Sequence, residues 1–204
     1  MVLYGLDAGL GEFFMNASET SCLYQLGNFI FPAGQVDLDF WQDYSSQYGL
    51  ADKIIISEDF SWQEFLDSQS GLERFTRYAF SDRADFDTED LEKWLSRLPA
   101  NYYLSPIDKE SYECLAREAW SQDLRGDFSD FDHFQVEGGF GFLLYSDKEI
   151  IASVSTGLVY HGALEIEIAT KPAYQRQGLA KILGARMILE AQKRSLFPLW
   201  DAHN

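Results

Sequence analysis

The chain has 204 residues, of which 46% are hydrophobic and 24% are charged, and its formal net charge is -17. This length and apolar content are typical of a globular protein with a sizeable core. The negative charge argues against a nucleic-acid partner, because such binding draws most of its affinity from Lys and Arg contacts with phosphate.

Other protein classes are disfavoured by local features. The N-terminal stretch carries Asp7 and Glu12 where a secretory signal would be apolar. The longest uncharged run, residues 20–36, contains Gly and Pro residues that argue against a membrane-spanning helix. Cys22 and Cys114 have no CxxC partner and no neighbouring His pair, so neither a disulfide framework nor a metal site is expected. We therefore expect a cytoplasmic protein without a metal or a membrane partner.

Residues 1–100 mix short strand-like runs with helical ones. The predicted elements are strands at 23–31 and 53–56 and helices at 61–67 and 88–98. Asp87 or Thr88 is the expected N-cap of the last helix, and Pro99 ends it. We expect a domain boundary at 99–101, so that residues 1–100 form a smaller α/β domain of unknown role.

Residues 101–204 alternate strands and helices around a three-strand antiparallel meander. The predicted elements are strands at 101–104, 140–145, 150–160, 164–170 and 198–200, and helices at 109–120 and 178–194. Asp108 is the expected cap of the first helix, and His161-Gly162 the turn between the last two meander strands. His133 is expected in a loop. This order predicts an α/β (mixed α+β) fold with a mainly antiparallel sheet flanked by helices.

The stretch KPAYQRQGLAK, residues 171–181, joins the last meander strand to the last long helix. The first turn of a helix exposes unpaired N–H groups at the positive end of the dipole, and Gly178 and Ala180 leave room for a ligand. Residues 171–194 hold six basic residues and one acidic residue, a net charge of +5 in an acidic chain. Cations at a helix N-terminus oppose the dipole unless an anion lies between them. By itself the motif fits an ordinary helix start, but this context favours an anion cradle.

The pattern Q-x-x-G-x-A at Gln175, Gly178 and Ala180, directly after a strand, resembles the phosphate-binding motif of the GNAT superfamily of N-acetyltransferases. The resemblance covers about residues 101–204. The combination of EIEIAT, YQRQGLAK and FPLWDAHN is similar to a bacterial subgroup of GNAT acetyltransferases with an extra N-terminal domain. The resemblance implies a GNAT-type catalytic domain at 101–204, with acetyl-CoA as co-substrate and an amine as acceptor. It also implies N-acyl transfer by direct attack in a ternary complex.

The resemblance assigns binding roles to three groups of residues. The pyrophosphate of acetyl-CoA would bind the loop and helix start, residues Gln175, Arg176, Gln177, Gly178, Leu179 and Ala180. Arg176, Lys181 or Arg186 would reach the nucleotide phosphates. The pantetheine arm would pair with the backbone of Ile168, Ala169 and Thr170, which would also supply an oxyanion donor. Asn204 matches the Asn that binds pantetheine in the family.

Acyl transfer to an amine requires a general base. Glu165 and Glu167 are two residues apart on a strand and point to one face, while Leu164 and Ile166 point to the other. The resemblance implies a carboxylate base near the start of this strand, so Glu165 is the first candidate and Glu167 the second. An amphipathic strand with a polar outer face explains the same two glutamates.

The sequence departs from the family after its last predicted strand. Family members continue past the Asn with a helix that carries a Tyr acid, followed by two more strands, whereas this sequence ends at Asn204. We therefore expect a C-terminally incomplete sheet without an assigned general acid, and a free strand edge of this kind allows a homo-oligomer. The competing hypothesis is a catalytically silent acyl-CoA-binding or interaction module. Asp127, Asp130 and Asp132 either attract a cationic amine or form a solvated acidic loop.

Overall fold

The computed structural model of the chain describes residues 2–79, 86–126 and 128–203. The chain divides into two compact units, Met1–Thr76 and Arg77–Asn204. Among the described helices, none is both long and apolar enough to cross a membrane.

The described part of the first unit holds a four-stranded mixed sheet with helices. Its elements are α1 (Val2–Asp7), β1 (Glu12–Met15), β2 (Ser21–Leu26), β3 (Phe29–Gly34), α2 (Leu38–Tyr48), β4 (Ile54–Ile55) and α3 (Phe60–Asp67). The strand order is β1-β2-β3-β4, and only the β3–β4 pair is parallel. Buried Trp41 and Trp62 pack in its core with Leu23 and Ile30.

The first unit corrects one predicted strand. The run at 23–31 is a hairpin, because Gly27 adopts a positive φ of 57° and reverses the chain between β2 and β3. The predicted helix at 61–67 is confirmed as α3, and the strand at 53–56 is confirmed in shortened form as β4.

The second unit holds a central mixed sheet with helices on both faces. Its elements are β5 (Arg77–Ala79), α4 (Thr88–Leu95), β6 (Tyr102–Pro106), α5 (Lys109–Leu115), a 3₁₀ turn (Gln122–Arg125), α6 (Phe131–Val136), β7 (Gly141–Ser146), β8 (Glu149–Tyr160), β9 (Ala163–Thr170), a 3₁₀ turn (Pro172–Tyr174), α7 (Leu179–Lys193), β10 (Phe197–Leu199) and β11 (Asp201–His203). The described sheet has the order β10-β9-β8-β7-β6, and β10 is parallel to β9 while the other pairs are antiparallel. β11 pairs antiparallel with β5. The predicted mixed α/β fold, with a mainly antiparallel sheet flanked by helices, is confirmed.

Two clusters of apolar side chains hold the helices on opposite faces of this sheet. On one face, Leu164 and Ile166 of β9 pack in the cluster that contains Leu183 of α7. On the other face, Leu143 of β7 packs in the cluster that contains Tyr112 of α5. Each fully buried leucine contributes roughly 2 kcal/mol, so the two clusters fix α5 and α7 to the sheet between them.

The predicted boundary at 99–101 lies inside the second unit. Leu91 of α4 is buried in the same cluster as α7, and Trp94 and Leu98 pack against it. The compact units therefore divide between Thr76 and Arg77, and α4 belongs with the central sheet.

Two further sequence predictions need correction in this unit. The helix expected to reach residue 120 ends at Leu115, because the Ser121 hydroxyl donates to the Leu115 carbonyl at 2.7 Å and stops the helical ladder. His133 lies in helix α6 rather than in a loop, because the Asp130 carboxylate accepts from the His133 N–H and caps the helix. The predicted turn at His161-Gly162 is confirmed, with positive φ at both residues.

Candidate functional site

Helix α7 begins differently from the five helices α2 to α6. Helices α2 to α6 each follow an aspartate whose side chain accepts from a first-turn N–H, namely Asp37, Asp59, Asp87, Asp108 and Asp130. Helix α7 follows Gly178, which provides no side-chain cap, and its first turn contains no acidic residue. Its first N–H groups are therefore available to a ligand.

The loop before α7 contains two residues in the left-handed region. Arg176 has a φ of 61° and Gly178 has a φ of 79°. Turns of this kind gather successive N–H groups into a concavity that suits an anion. In the described chain, no N–H group of residues 176–180 donates to another protein group. A left-handed Arg is strained by about 1 kcal/mol, which is typical of a functional site.

A cavity of about 540 Å³ lies at this helix start. Its lining residues are Trp94, Thr170, Tyr174, Gln175, Arg176, Gly178, Leu179, Ala180 and Lys181. All of these except Trp94 and Tyr174 belong to the set that the sequence predicted. Tyr174 stands next to the motif, and its hydroxyl donates to Glu149 at 3.2 Å.

Trp94 reaches the cavity from helix α4 and was missed by the sequence reasoning. Its indole ring lies 5.1 Å from Lys181 Nζ and 4.1 Å from the Arg97 guanidinium, measured to the ring centroid. In the sequence, Trp94 is only one apolar residue of a predicted helix. No sequence motif near Trp94 relates it to residues 176–181.

One edge of β9 faces β8. In the described chain, the other edge has no partner strand after residue 165. β10 pairs with β9 only along residues 163–165. Lys171 N–H donates to the Ile151 carbonyl of β8 at 2.8 Å. Because backbone groups alternate between the two edges of a strand, Ile168 and Thr170 direct theirs away from β8. Ile168 therefore presents its N–H and C=O to the open edge.

The end of this strand is tied to the loop that follows it. The Gln175 side-chain amide donates to the Thr170 carbonyl at 3.1 Å. By the same alternation, Ala169 directs its N–H and C=O toward β8, where it pairs with Ser153. Of the three predicted strand residues, Ile168 thus has the freest backbone at the open edge, while Ala169 contributes to the sheet.

Glu165 and Glu167 lie half-buried on the sheet face opposite α7, since Leu164 and Ile166 are buried against α7. The Cγ of Glu167 lies 3.1 Å from the position that a β-carbon on Gly157 would take. Gly157 interrupts the register of β8 with β9 as a β-bulge. The absence of a side chain at Gly157 therefore makes room for the Glu167 side chain.

The same face is covered by the 3₁₀ turn Gln122–Arg125, which packs on β8 and β9. Gly126 follows this turn with a φ of 60°, and a β-carbon there would overlap the Gly157 carbonyl. Opposite Glu167 on β8, the buried Ser155 hydroxyl has no hydrogen-bond partner among the described residues. The carboxylates thus lie beside a tightly packed backbone that fixes their position.

Arg186 lies away from the cavity. Its Nη1 is 3.2 Å from Glu190 Oε2, and Arg194 Nε is 3.1 Å from Glu190 Oε1. The two guanidinium groups lie 4.0 and 4.2 Å from the ring centroids of Phe142 and Phe140. Burial raises the pKa of Glu190, but the hydrogen bonds from Arg194 and Arg186 outweigh burial and place the pKa below its ordinary value. The three charged residues line a second cavity of about 320 Å³, so Arg186 does not join the loop residues.

Lys171 is also neutralised by the protein itself. Its ammonium lies 2.9 Å from Glu149 and 3.0 Å from Glu118. Hydrogen bonds to these carboxylates raise the pKa of Lys171 and lower the pKa of each glutamate. The cationic side chains that line the 540 Å³ cavity are therefore Arg176 and Lys181.

Two predicted residues cannot be placed. Asn204 and Asp127 lie outside the described residues. Within the described ranges, no cluster of His, Cys, Asp and Glu side chains has an arrangement that could hold a metal ion.

Comparison with known proteins identifies the family of this chain, with its mixed sheet, uncapped start of α7 and open edge of β9. The model of the GNAT acetyltransferase family matches residues 1–204. The chain belongs to the GNAT acetyltransferase family. The match includes residues 1–100, which the motif resemblance did not cover.

Individual relatives agree with this family. The chain is 24% identical over 151 residues to the uncharacterized N-acetyltransferase YdfB of Bacillus subtilis, covering 72% of this chain and 54% of that protein. The chain thus spans about half the length of this curated relative. The crystal structure of a GCN5-related N-acetyltransferase-like protein from Streptococcus suis is 29% identical with a TM-score of 0.84, covering 100% of this chain and 82% of that one. A GCN5-related N-acetyltransferase from Kribbella flavida has the same fold at 15% identity, with a TM-score of 0.61 and the same coverage.

Proposed function

We propose that the chain is an N-acyltransferase that moves an acetyl group from acetyl-CoA to a primary amine by direct attack in a ternary complex. One observation carries the proposal: the N–H groups of residues 176–180 have no acceptor among the described residues, and Arg176, Gly178, Leu179 and Ala180 line the 540 Å³ cavity. A pyrophosphate offers acceptor oxygens to these donors and negative charge to the positive end of α7. Arg176 and Lys181 add cations at the same place.

The open edge of β9 suits the remainder of the donor. A pantetheine arm contains amide groups, which pair with a free strand edge as an added strand does. Ile168 offers its N–H and C=O there, and Thr170 lines the cavity at the end of the strand. An N–H on this edge would also stabilise the oxyanion that forms when the thioester is attacked. We assign Asn204 to the same arm from its place in the motif.

Glu165 is our proposed base and Glu167 the second candidate. A primary amine with a pKa near that of lysine, about 10.4, is protonated at neutral pH and cannot attack until it loses a proton. A half-buried carboxylate on the face opposite α7 can accept that proton directly or through water. The neutral amine then forms the C–N bond, the C–S bond breaks, and CoA leaves as a thiol after protonation.

The free cysteines bear on the cellular location, and the family bears on the competing hypothesis of a silent module. The two cysteines, Cys22 and Cys114, are free thiols, which fits the reducing cytoplasm where acetyl-CoA is available. A catalytically silent binding module is not favoured, because the chain belongs to a family of acyltransferases.

The test is acetyl-CoA turnover on a panel of amines that includes small diamines, amino sugars, amino acids and peptide N-termini. We expect CoA release with at least one amine, and a 10²- to 10⁴-fold lower kcat in Glu165→Gln with unchanged acetyl-CoA binding. Glu110→Gln, on the exposed surface of α5, is the matched control and should keep full turnover. Tight acetyl-CoA binding without turnover on any amine would support the silent module instead.

A further inference from the structure

Trp94 and Lys181 line one edge of the 540 Å³ cavity, and the indole ring of Trp94 also contacts Arg97, which is not among the lining residues. The Arg97 guanidinium lies 4.1 Å and the Lys181 ammonium 5.1 Å from the centroid of its indole ring. Arg97 follows Trp94 by three residues and lies just after the C-cap of α4, whereas Lys181 lies in the first turn of α7. Attraction to the indole π-system positions both cations, so two helices bring like charges to one ring.

These two cations differ from most of the basic residues around α7. Lys171, Arg186 and Arg194 each lie against a carboxylate at 2.9 to 3.2 Å. Neither Arg97 nor Lys181 forms an ion pair with another residue in the described ranges. Each of these cations therefore keeps its positive charge available to a bound anion.

We propose that Arg97 and Lys181, positioned by Trp94, form a subsite for the 3′-phosphate on the ribose of the acyl-CoA donor. This inference rests on the proposed function, since it concerns the nucleotide end of that donor. In the proposed binding mode, the pyrophosphate is bound by the backbone of residues 176–180. The remaining phosphate of the molecule is the 3′-phosphate, which carries a charge of about -1.5 to -2 at neutral pH and suits a pair of cations.

The subsite gives helix α4 a role in donor selection. Lys181 lines the cavity beside the backbone donors, and Trp94 lines it from α4. An acyl donor without the 3′-phosphate would keep every backbone contact and lose only the two cations. The structure thus predicts discrimination between CoA and 3′-dephospho-CoA that depends on Arg97 and Trp94.

The experiment compares acetyl-CoA with 3′-dephospho-acetyl-CoA by calorimetry in the intact chain. We expect the wild type to bind acetyl-CoA about tenfold more tightly than the dephospho form, as charge-assisted contacts warrant. Arg97→Gln should reduce this ratio several-fold while leaving affinity for the dephospho form unchanged. Lys93→Gln removes an exposed cation of the same helix that is paired with Asp90, and it should leave the ratio unchanged.

Trp94→Leu and Trp94→Phe test the positioning role. Trp94 packs against the core, so circular dichroism must first establish that each variant is folded. We expect Trp94→Leu to lower the affinity ratio as Arg97→Gln does, and Trp94→Phe, which keeps an aromatic face, to retain most of that ratio. Equal wild-type affinity for the two donors, or an unchanged ratio in Arg97→Gln, would overturn the subsite while leaving the proposed function intact. Failure of both donors to bind would instead contradict the proposed function.

Discussion

Helix α7 has cations near both of its ends, but protein carboxylates pair with them only toward the C-terminal end. In its C-terminal half, Arg186 and Arg194 share the carboxylate of Glu190 and cover the rings of Phe142 and Phe140. At its N-terminal end, Arg176 and Lys181 lie beside N–H groups that have no acceptor in the part of the chain that the structure describes. The first arrangement pairs its charges within the protein, and the second has donors and cations that suit the anion we propose.

This difference shows how a basic segment divides between structure and binding. The charge of residues 171–194 is +5 in total, yet Lys171, Arg186 and Arg194 are held by carboxylates of the protein. The net charge therefore identifies residues 171–194 as a basic segment. Which of its cations remain available for a ligand depends on whether a nearby carboxylate pairs with them. The C-terminal half of α7 serves as an internal reference for the N-terminal end.

Filling the space at the N-terminal end should have the largest effect. Gly178→Trp places an indole in the 540 Å³ cavity, and we expect acetyl-CoA affinity to fall at least about 100-fold, or about 2.7 kcal/mol. Gly162→Trp is the matched control, because Gly162 has a φ of 80° against 79° for Gly178 and both have open space at the β-carbon. The two variants carry the same backbone strain, so calorimetry should find normal affinity in Gly162→Trp. Equal loss in both would attribute the effect to strain.

Breaking the C-terminal arrangement should lower stability and spare binding. Glu190→Gln leaves the half-buried Arg186 and the exposed Arg194 without their carboxylate. We expect the free energy of unfolding to fall by roughly 1–2 kcal/mol. This loss lies between those observed when an exposed and when a buried salt bridge is broken. Urea unfolding measures this change, and acetyl-CoA affinity should stay within twofold of the wild type. A marked loss of affinity would mean that the two ends of α7 are not independent.

Single-charge variants at the two ends sharpen the same contrast. Lys181→Gln removes a cation that lines the cavity, and we expect roughly fivefold weaker acetyl-CoA binding at low salt. Arg186→Gln removes a cation on the same helix that lines the other cavity, and we expect unchanged binding. If Arg186→Gln weakened binding as much as Lys181→Gln, the effect would come from overall charge rather than from the site.

The smallest expected effect is the pH dependence of the Glu190 contribution. The pKa of Glu190 lies below its ordinary value in the folded chain, so its contribution is present above the ordinary carboxyl pKa and is lost as pH falls through the folded value. The difference in melting temperature between wild type and Glu190→Gln should be constant from about pH 8 to pH 5 and shrink below about pH 4. A difference that persists unchanged in acid would contradict the charge-based explanation.

The sequence predicted the strand-loop-helix unit around residues 171–181 well, because β9 and α7 have clear periodicities and Gly178 marks the helix start. The pairing of Glu190 with Arg186 and Arg194 could be predicted from their i,i+4 spacing, whereas the net charge of the segment does not reveal it. Trp94 was not predictable in this way, since its place at the cavity depends on how α4 packs on α7. The ion pair of Lys171 with Glu118 is likewise set by the tertiary fold.

Amide NMR during titration with acetyl-CoA tests the central claim most directly, because it reads the backbone N–H groups themselves. The proposed binding mode predicts that the largest shift changes fall on residues 176–180, with little change at residues 186–194. Saturable binding with undisturbed amides at 176–180, or changes centred on the cavity lined by Arg186 and Arg194, would contradict it.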